Sequence, residues 1–457
     1  MPSRGSRWWR RGLVALIVVL VAVGGAVAFV LLHAPGNVSH PQLSFTVPTT
    51  TTTTTTTRKH KPPPIDTFVW ARYGFDAGRT RNFQGPRILR PPFHNGWIHD
   101  DHALLEFPPV IYHTTMFWMN DAGYVKALDT INGRVLWSHR VGTLAAASPA
   151  IGVKQGMIYV PVLSDNGSSP GNGSIVALRM RNGSVAWSRG LPAGSESSPI
   201  AWGSSLYLGD QAGNVYGFNA RSGHLNWTYH ASGAVKGGPA YANGKLYFGD
   251  YAGRAYCVQA ATGRPVWAVS TSGASFGFGS GNFYATPAVA FGRVYLGNTD
   301  GRVYSFAAGN GALAWATATG AYVYASAAVD DTPGLGPTLY VGSYDGNFYA
   351  FDARSGTIRW KHYAGGKISG SATIVDNVVY YSNLSTKTTT GLDIRTGRVL
   401  ATFKDGAFTP VIADDHALYL VGQHRLYEML PAAAKRSRAK SARPISKPRK
   451  KAHKKRT

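Results

Sequence analysis

Hydrophobic and polar positions alternate in short runs along most of the chain, and the runs return at a nearly fixed interval. Stretches such as Leu206–Asp210 and Asn214–Phe218 are five residues long and rich in Tyr, Val, Leu and Phe. Glycine-containing turns bound them, the pattern of strands rather than helices. A Trp recurs at Trp97, Trp137, Trp187, Trp227, Trp267, Trp315 and Trp360, and Ala401 takes the next place. The intervals are 40, 50, 40, 40, 48, 45 and 41 residues. Four residues before each Trp from Trp137 onward stands a Gly, from Gly133 to Gly356, and Gly397 stands in the same place before Ala401. A further Gly lies ten residues earlier in five of the units, and an aromatic residue six before that.

Each unit reads as four strands. The first opens at a pair such as Ser148-Pro149, Ser198-Pro199, Gly238-Pro239, Thr286-Pro287 or Thr409-Pro410. Proline is tolerated there because its missing N–H costs little at a strand start. The fourth strand carries the Trp, whose large face is expected to pack between neighbouring sheets. Four-strand units of about 40–45 residues are propeller blades. The last three strands, Thr409 to Met429, lack a fourth, and the strand at Trp97 lacks the other three. Pairing them closes the ring and removes exposed sheet edges. The expected fold is therefore an all-β, eight-bladed propeller of four-stranded antiparallel blades, closed by an N-terminal strand.

The units "YVKALDTINGRVLW", "NVYGFNARSGHLNW" and "NFYAFDARSGTIRW" resemble the PQQ-like propeller repeat, as does the lead-in "WARYGFDAGRTRNF" at Trp70–Phe83. The resemblance covers nearly all of Trp70 to Leu430. That family holds pyrroloquinoline-quinone dehydrogenases, the propeller lipoprotein of the outer-membrane barrel assembly machinery, and sensor domains of membrane kinases. The resemblance to the enzymes implies a vicinal disulfide, a stacked Trp floor and a Ca²⁺ site of Glu, Asn and Asp. This chain has one cysteine, Cys257, and no Glu between Asp210 and Arg425. The expectation is a non-enzymatic module, closest in character to the barrel-assembly lipoprotein, without cofactor or metal. A quinone-dependent oxidoreductase and a small-ligand receptor are the alternatives.

The ends read differently. Leu13–Leu32 is an apolar run of 20 residues, as long as a bilayer-spanning helix. Arg4, Arg7, Arg10 and Arg11 precede it, which predicts a cytoplasmic N-terminus and an extracytoplasmic propeller. Expected segments are thus a basic head (1–12), a signal-anchor helix (13–32), a Thr/Pro-rich disordered linker (33–64), the propeller (65–431) and a basic disordered tail (432–457). The formal charge of +25 belongs mostly to these ends. Between Ile65 and Leu430, 28 basic residues face 22 acidic ones, an ordinary balance that argues against a nucleic-acid-binding propeller. The tail carries 12 Lys/Arg and no aromatic residue, which suits an anionic surface better than base stacking.

Candidate chemistry is sparse. Gly273–Gly277 matches G-x-S-x-G, but no helix pattern follows it, as a nucleophile elbow requires. His99, Asp100, Asp101 and His102 resemble metal ligands, yet in a strand they alternate faces. Cys257, in a third strand, reads as a packed core thiol. Connections between strands two and three, and from each blade to the next, share one face of a propeller. The longest departures from the repeat, Ser164–Gly173 and Thr271–Ala285, both fall there. Phe276, Phe278, Phe283, Tyr284, Tyr322 and Tyr324, with the isolated charges Glu196, Lys236 and Lys367, are the candidate partner-binding face for an envelope protein or peptide. The competing reading has these aromatics fill the central channel.

Overall fold

A computed structural model describes residues 13–25, 36–47, 67–85, 89–164, 172–271 and 281–432. It divides into two units, Met1–Val38 and Ser39–Thr457. In the first, residues 13–25 are helical. Among the described residues no helix is long and apolar enough to cross a membrane, and residues 26–32 of the expected span lie outside them.

The second unit is built from eight sheets, each with four antiparallel strands at its heart, consecutive in seven of them. Blade 1 comprises Val110–Tyr112, Thr115–Met119, Tyr124–Asp129 and Val135–Arg140. Blade 3 (Ile200–Trp202, Ser205–Gly209, Asn214–Asn219, Leu225–His230) and blade 4 (Ala240–Ala242, Lys245–Gly249, Arg254–Gln259, Pro265–Ser270) repeat it. Blade 8 takes Val411–Ala413, Leu418–Val421 and Arg425–Pro431 from the C-terminal side and Phe93–Asp100 from the N-terminal side. Ring closure by the two ends of the propeller segment is therefore observed as expected.

The repeated Trp and Gly form one device. Each Trp indole N–H donates to a backbone carbonyl of the next blade: Trp97 to Thr130, Trp137 to Met180, Trp187 to Ala220, Trp227 to Ala260, Trp267 to Ala308, Trp315 to Ala353 and Trp360 to Ile394, at 2.8–3.2 Å. Its ring lies on that next blade's turn Gly. A Cβ at Gly133, Gly183, Gly223, Gly263, Gly311, Gly356 or Gly397 would stand 2.5–2.8 Å from the indole. These glycines also have φ of +68 to +77°, so turn geometry and ring packing both require them. Ala401 departs from the series for a structural reason. Its blade is followed by blade 8, whose third and fourth strands come from opposite ends of the propeller segment. No hairpin turn joins them, so a Trp at 401 would have no turn glycine to lie on.

One segment departs from expectation. Residues 33–64 were expected to be a free linker, but Ser39–Val47 lies on blades 5 and 6. Phe45 stacks on Phe291 at 5.5 Å, and the guanidinium groups of Arg293 and Arg354 sit 5.7 and 4.7 Å from its ring centre. Arg293 also donates to the Leu43 and Ser44 carbonyls. Two apolar side chains, Leu43 and Phe45, supply a local anchor that the Thr- and Pro-rich average conceals. Residues 48–64 of that linker, and the tail from 433, lie outside the described residues.

The lead-in, Ala71–Phe83, crosses the central channel. The innermost strand of each blade leaves N–H groups facing the axis, and the lead-in supplies acceptors for them. Ile151, Tyr241, Val289, Val329 and Ile374, on five different blades, donate to the carbonyls of Ala71, Ala77, Gly78, Thr80 and Arg81 at 2.7–2.9 Å. Arg79 is fully buried and spends its guanidinium on the carbonyls of Tyr73, Ser198, Pro199 and Pro239, at 2.6–3.2 Å. Burial, with Arg81 and Arg72 nearby, pushes its pKa well down.

Candidate functional site

With one end of the channel filled by the lead-in, the other is a funnel of about 210 Å³ on the face of the inter-blade connections. Its lower wall is a band of hydroxyls at the position that opens six of the eight blades, with Pro108 and Gly238 taking that place in blades 1 and 4. The backbone N–H of Ser148 donates to Ser198 Oγ, Gly238 N–H to Thr286 Oγ1, Thr286 N–H to Ser326 Oγ, and Ser326 N–H to Ser371 Oγ, each at 3.0 Å. Four of the eight blade-to-blade junctions are thus laced by one side chain each. Tyr73 of the lead-in reaches up from the floor, its hydroxyl 2.6 Å from Ser371 Oγ. Burial raises the Tyr73 phenol, but Arg81, 4.6 Å from its ring centre, and hydrogen bonds with hydroxyl groups outweigh this and bring it below the ordinary range.

Above that band, one position per blade makes the upper wall. Two residues before each opening residue stand, in blade order, Glu106, Ala146, Glu196, Lys236, Tyr284, Tyr324, Ser369 and Ala407. Six of these line the funnel, and the alanines flank Glu106 on both sides in the ring. Lys236 Nζ pairs with Glu196 Oε1 at 2.8 Å and lies 5.0 Å from the Tyr251 ring centre. Gln211 donates to the same oxygen at 2.6 Å, and Tyr284 Oη reaches Glu196 Oε2 at 3.3 Å. Tyr251, Tyr284, Tyr324 and Tyr344 form a chain of ring contacts at 6.3, 5.8 and 4.9 Å. Burial, then Glu196 and Glu106, pushes the Tyr284 phenol far up. Glu106 is also raised, by burial first and then by Glu196 and Asp121, with Lys236 opposing.

Of the residues singled out in the sequence, Glu196, Lys236, Tyr284 and Tyr324 converge on this funnel. Tyr322, 53% exposed, packs on Tyr324 and Tyr344 at the rim. Lys367 stands over Tyr344, 5.6 Å from its ring centre. Phe283 is corrected: it is fully buried between blades 4 and 5 against Tyr304, because it occupies the inward-facing register next to Tyr284. Phe276 and Phe278 lie outside the described residues. Glu106, Phe107, Tyr73 and Tyr344 line the funnel but were missed. Glu106 was legible in principle, since Pro108-Pro109 opens blade 1 as Ser198-Pro199 opens blade 3.

Other candidates resolve into structure. Asp101 is buried and takes hydrogen bonds from Trp118, Asn120 and Lys126. Asp101 is thus ion-paired internally with Lys126, with His99 Nε2 3.6 Å from its Oδ1, and no group of three or more His, Cys, Asp or Glu suited to a metal occurs among the described residues. Asp210 and Asp250 each bind the hydroxyl of a Tyr six residues on, at 2.7 Å, closing a turn between strands two and three. Cys257 is buried in the core, its thiol pushed up to about 11 by burial.

The family model described as outer membrane protein assembly factor BamB matches residues 121–236 and 230–440. No curated protein matches. Among solved structures, BamB from Moraxella catarrhalis shares 15% identity at a TM-score of 0.59, covering 76% of this chain and 99% of that one. A europium-containing methanol dehydrogenase shares 13% at 0.65, covering 79% and 98%. Quinohemoprotein alcohol dehydrogenase from Comamonas testosteroni shares 12% at 0.63, covering 83% of each chain. At such identities these structures establish the fold alone. The family match spans most of the chain, and with the repeat geometry it places this protein in the BamB family of PQQ-like β-propellers.

Proposed function

We propose that this protein is a membrane-anchored, extracytoplasmic scaffold that holds a partner protein of the cell envelope on the inter-blade face. The observation that carries the reading is the concentration of aromatic and charged side chains at the funnel and its rim, on a face whose opposite channel end is filled by the lead-in. Exposed Tyr with a few flanking charges is the composition of protein-contact centres. The apolar run 13–32, with its basic flank, would be the anchor, and the tail from 432 would add electrostatic attachment to anionic polymer or lipid.

The test is a crosslinking pull-down from membranes, comparing the intact chain with a Tyr322→Ser/Tyr324→Ser variant. Envelope proteins captured by the first and lost from the second support the scaffold. Identical capture by both would remove the inter-blade face from the account.

A quinone enzyme is the second reading, favoured by the dehydrogenase neighbours. The residues present do not fit the group that reading needs. No Trp lines the funnel among the described residues, the single Cys is a core thiol, and the floor is occupied by Tyr73. Titration with pyrroloquinoline quinone and Ca²⁺ is the direct check, and saturable quinone binding with dye reduction would favour the enzyme.

A further inference from the structure

We propose that the funnel receives a basic side chain, Lys or Arg, of the docked partner, whose cation pairs with Glu106 against the tyrosine wall. This rests on the scaffold reading and names what anchors the partner.

The eight-residue upper wall holds two acids and one base, and the base is already committed. Lys236 is bound to Glu196 and lies over Tyr251, so the protein itself shows how this wall holds a cation: one carboxylate and one tyrosine face. Glu106 repeats half of that arrangement. Its carboxylate lines the cavity, half-buried, with no hydrogen-bond or ion-pair partner among the described residues. Its neighbours in the ring are Ala146 and Ala407, which carry no charge to neutralise it. Across the ring stand Tyr284 and Tyr324, and Tyr284 feels the Glu106 charge. A carboxylate held partly out of water without a partner is unfavourable in the free protein. A ligand cation would relieve this and gain a tyrosine face as well. An anionic group would instead meet Glu106 and Glu196 together.

The groups that face Glu106 electrostatically are Glu196, Asp121 and Lys236. Two of the three are acidic, so the surroundings reinforce the preference for a cation.

The probe is N-acetyl-arginine amide, with N-acetyl-citrulline amide as its uncharged isostere, titrated into the full chain in detergent and followed by calorimetry. The arginine compound should bind at least about tenfold more tightly than the citrulline compound, and Glu106→Gln should remove that preference. Glu106→Gln should also melt no lower than the parent, because it removes an unpaired carboxylate. That result separates a binding role from a structural one. Equal affinity for the two probes, no binding of either, or undiminished preference in Glu106→Gln would overturn the proposal. A partner captured from membranes equally well by the parent and by Glu106→Gln would overturn it too while leaving the scaffold reading intact. Loss of that partner from Tyr322→Ser/Tyr324→Ser and from Glu106→Gln alike would support both.

Discussion

The outer part of each blade and the inner funnel follow opposite rules. At the blade-to-blade turns, one arrangement is repeated seven times: an indole on a glycine, with its N–H on the neighbouring carbonyl. At the funnel wall the backbone register is equally regular, but the side chains differ from blade to blade, from Glu106 to Ala407. Where every blade must solve the same packing problem, the residues are held alike. Where side chains face a common space and need not pack on a copy of themselves, they are free to differ. The difference separates structure from site in this molecule more clearly than any single residue type does.

The comparison can be broken most severely at the lead-in, which serves both regions. Arg79→Met would leave four buried carbonyls without their donor and should cost roughly 3–5 kcal/mol in denaturant unfolding. A loss below 1 kcal/mol would mean that the channel floor does not depend on it. Next comes the repeated docking. Gly223→Ala puts a methyl 2.6 Å from the Trp187 ring at a φ of +68°, and about 2–4 kcal/mol should be lost.

Smaller effects sharpen the funnel side. Glu106 has a folded pKa above its unfolded value, so the native state binds more protons between the two. Stability should therefore fall as pH rises from the ordinary glutamate range through the raised value, then level off. Glu106→Gln should flatten this step in a pH series of melting temperatures, and an unchanged step would assign it to another group. Smallest of all is Ala401→Trp, expected to change stability by no more than about 0.5 kcal/mol, because blade 8 offers that ring no docking turn. A stabilisation of 1 kcal/mol or more would show that a partner exists there after all.

Legibility followed the same division. The Trp and Gly spacing was enough to count eight blades and to join Phe93–Asp100 to Arg425–Pro431, because periodic packing leaves a periodic sequence. The meaning of Ala401 was not legible, since it depends on a turn missing from a neighbouring blade. Nor was the role of the lead-in: Arg79 and Arg81 look like surface arginines until the axis-facing N–H groups of the inner strands are counted. Four of the six upper-wall residues that line the funnel, Glu196, Lys236, Tyr284 and Tyr324, were visible from their connections. Phe283 was misplaced by one register step beside Tyr284, and Glu106 was passed over because its blade opens with Pro108 rather than a hydroxyl. The docking of Leu43 and Phe45 was hidden within a segment whose average composition is that of a free linker.

The most direct test of the central claim is site-specific photo-crosslinking in intact cells, with a benzophenone amino acid placed at Tyr322 on the funnel rim or at Trp202 on the opposite face. Both side chains are exposed, at 53% and 43%. Adducts to one envelope protein from position 322 and none from 202 are the predicted result. Adducts to that protein from 202 alone would place the working surface on the wrong side of the ring and contradict the account.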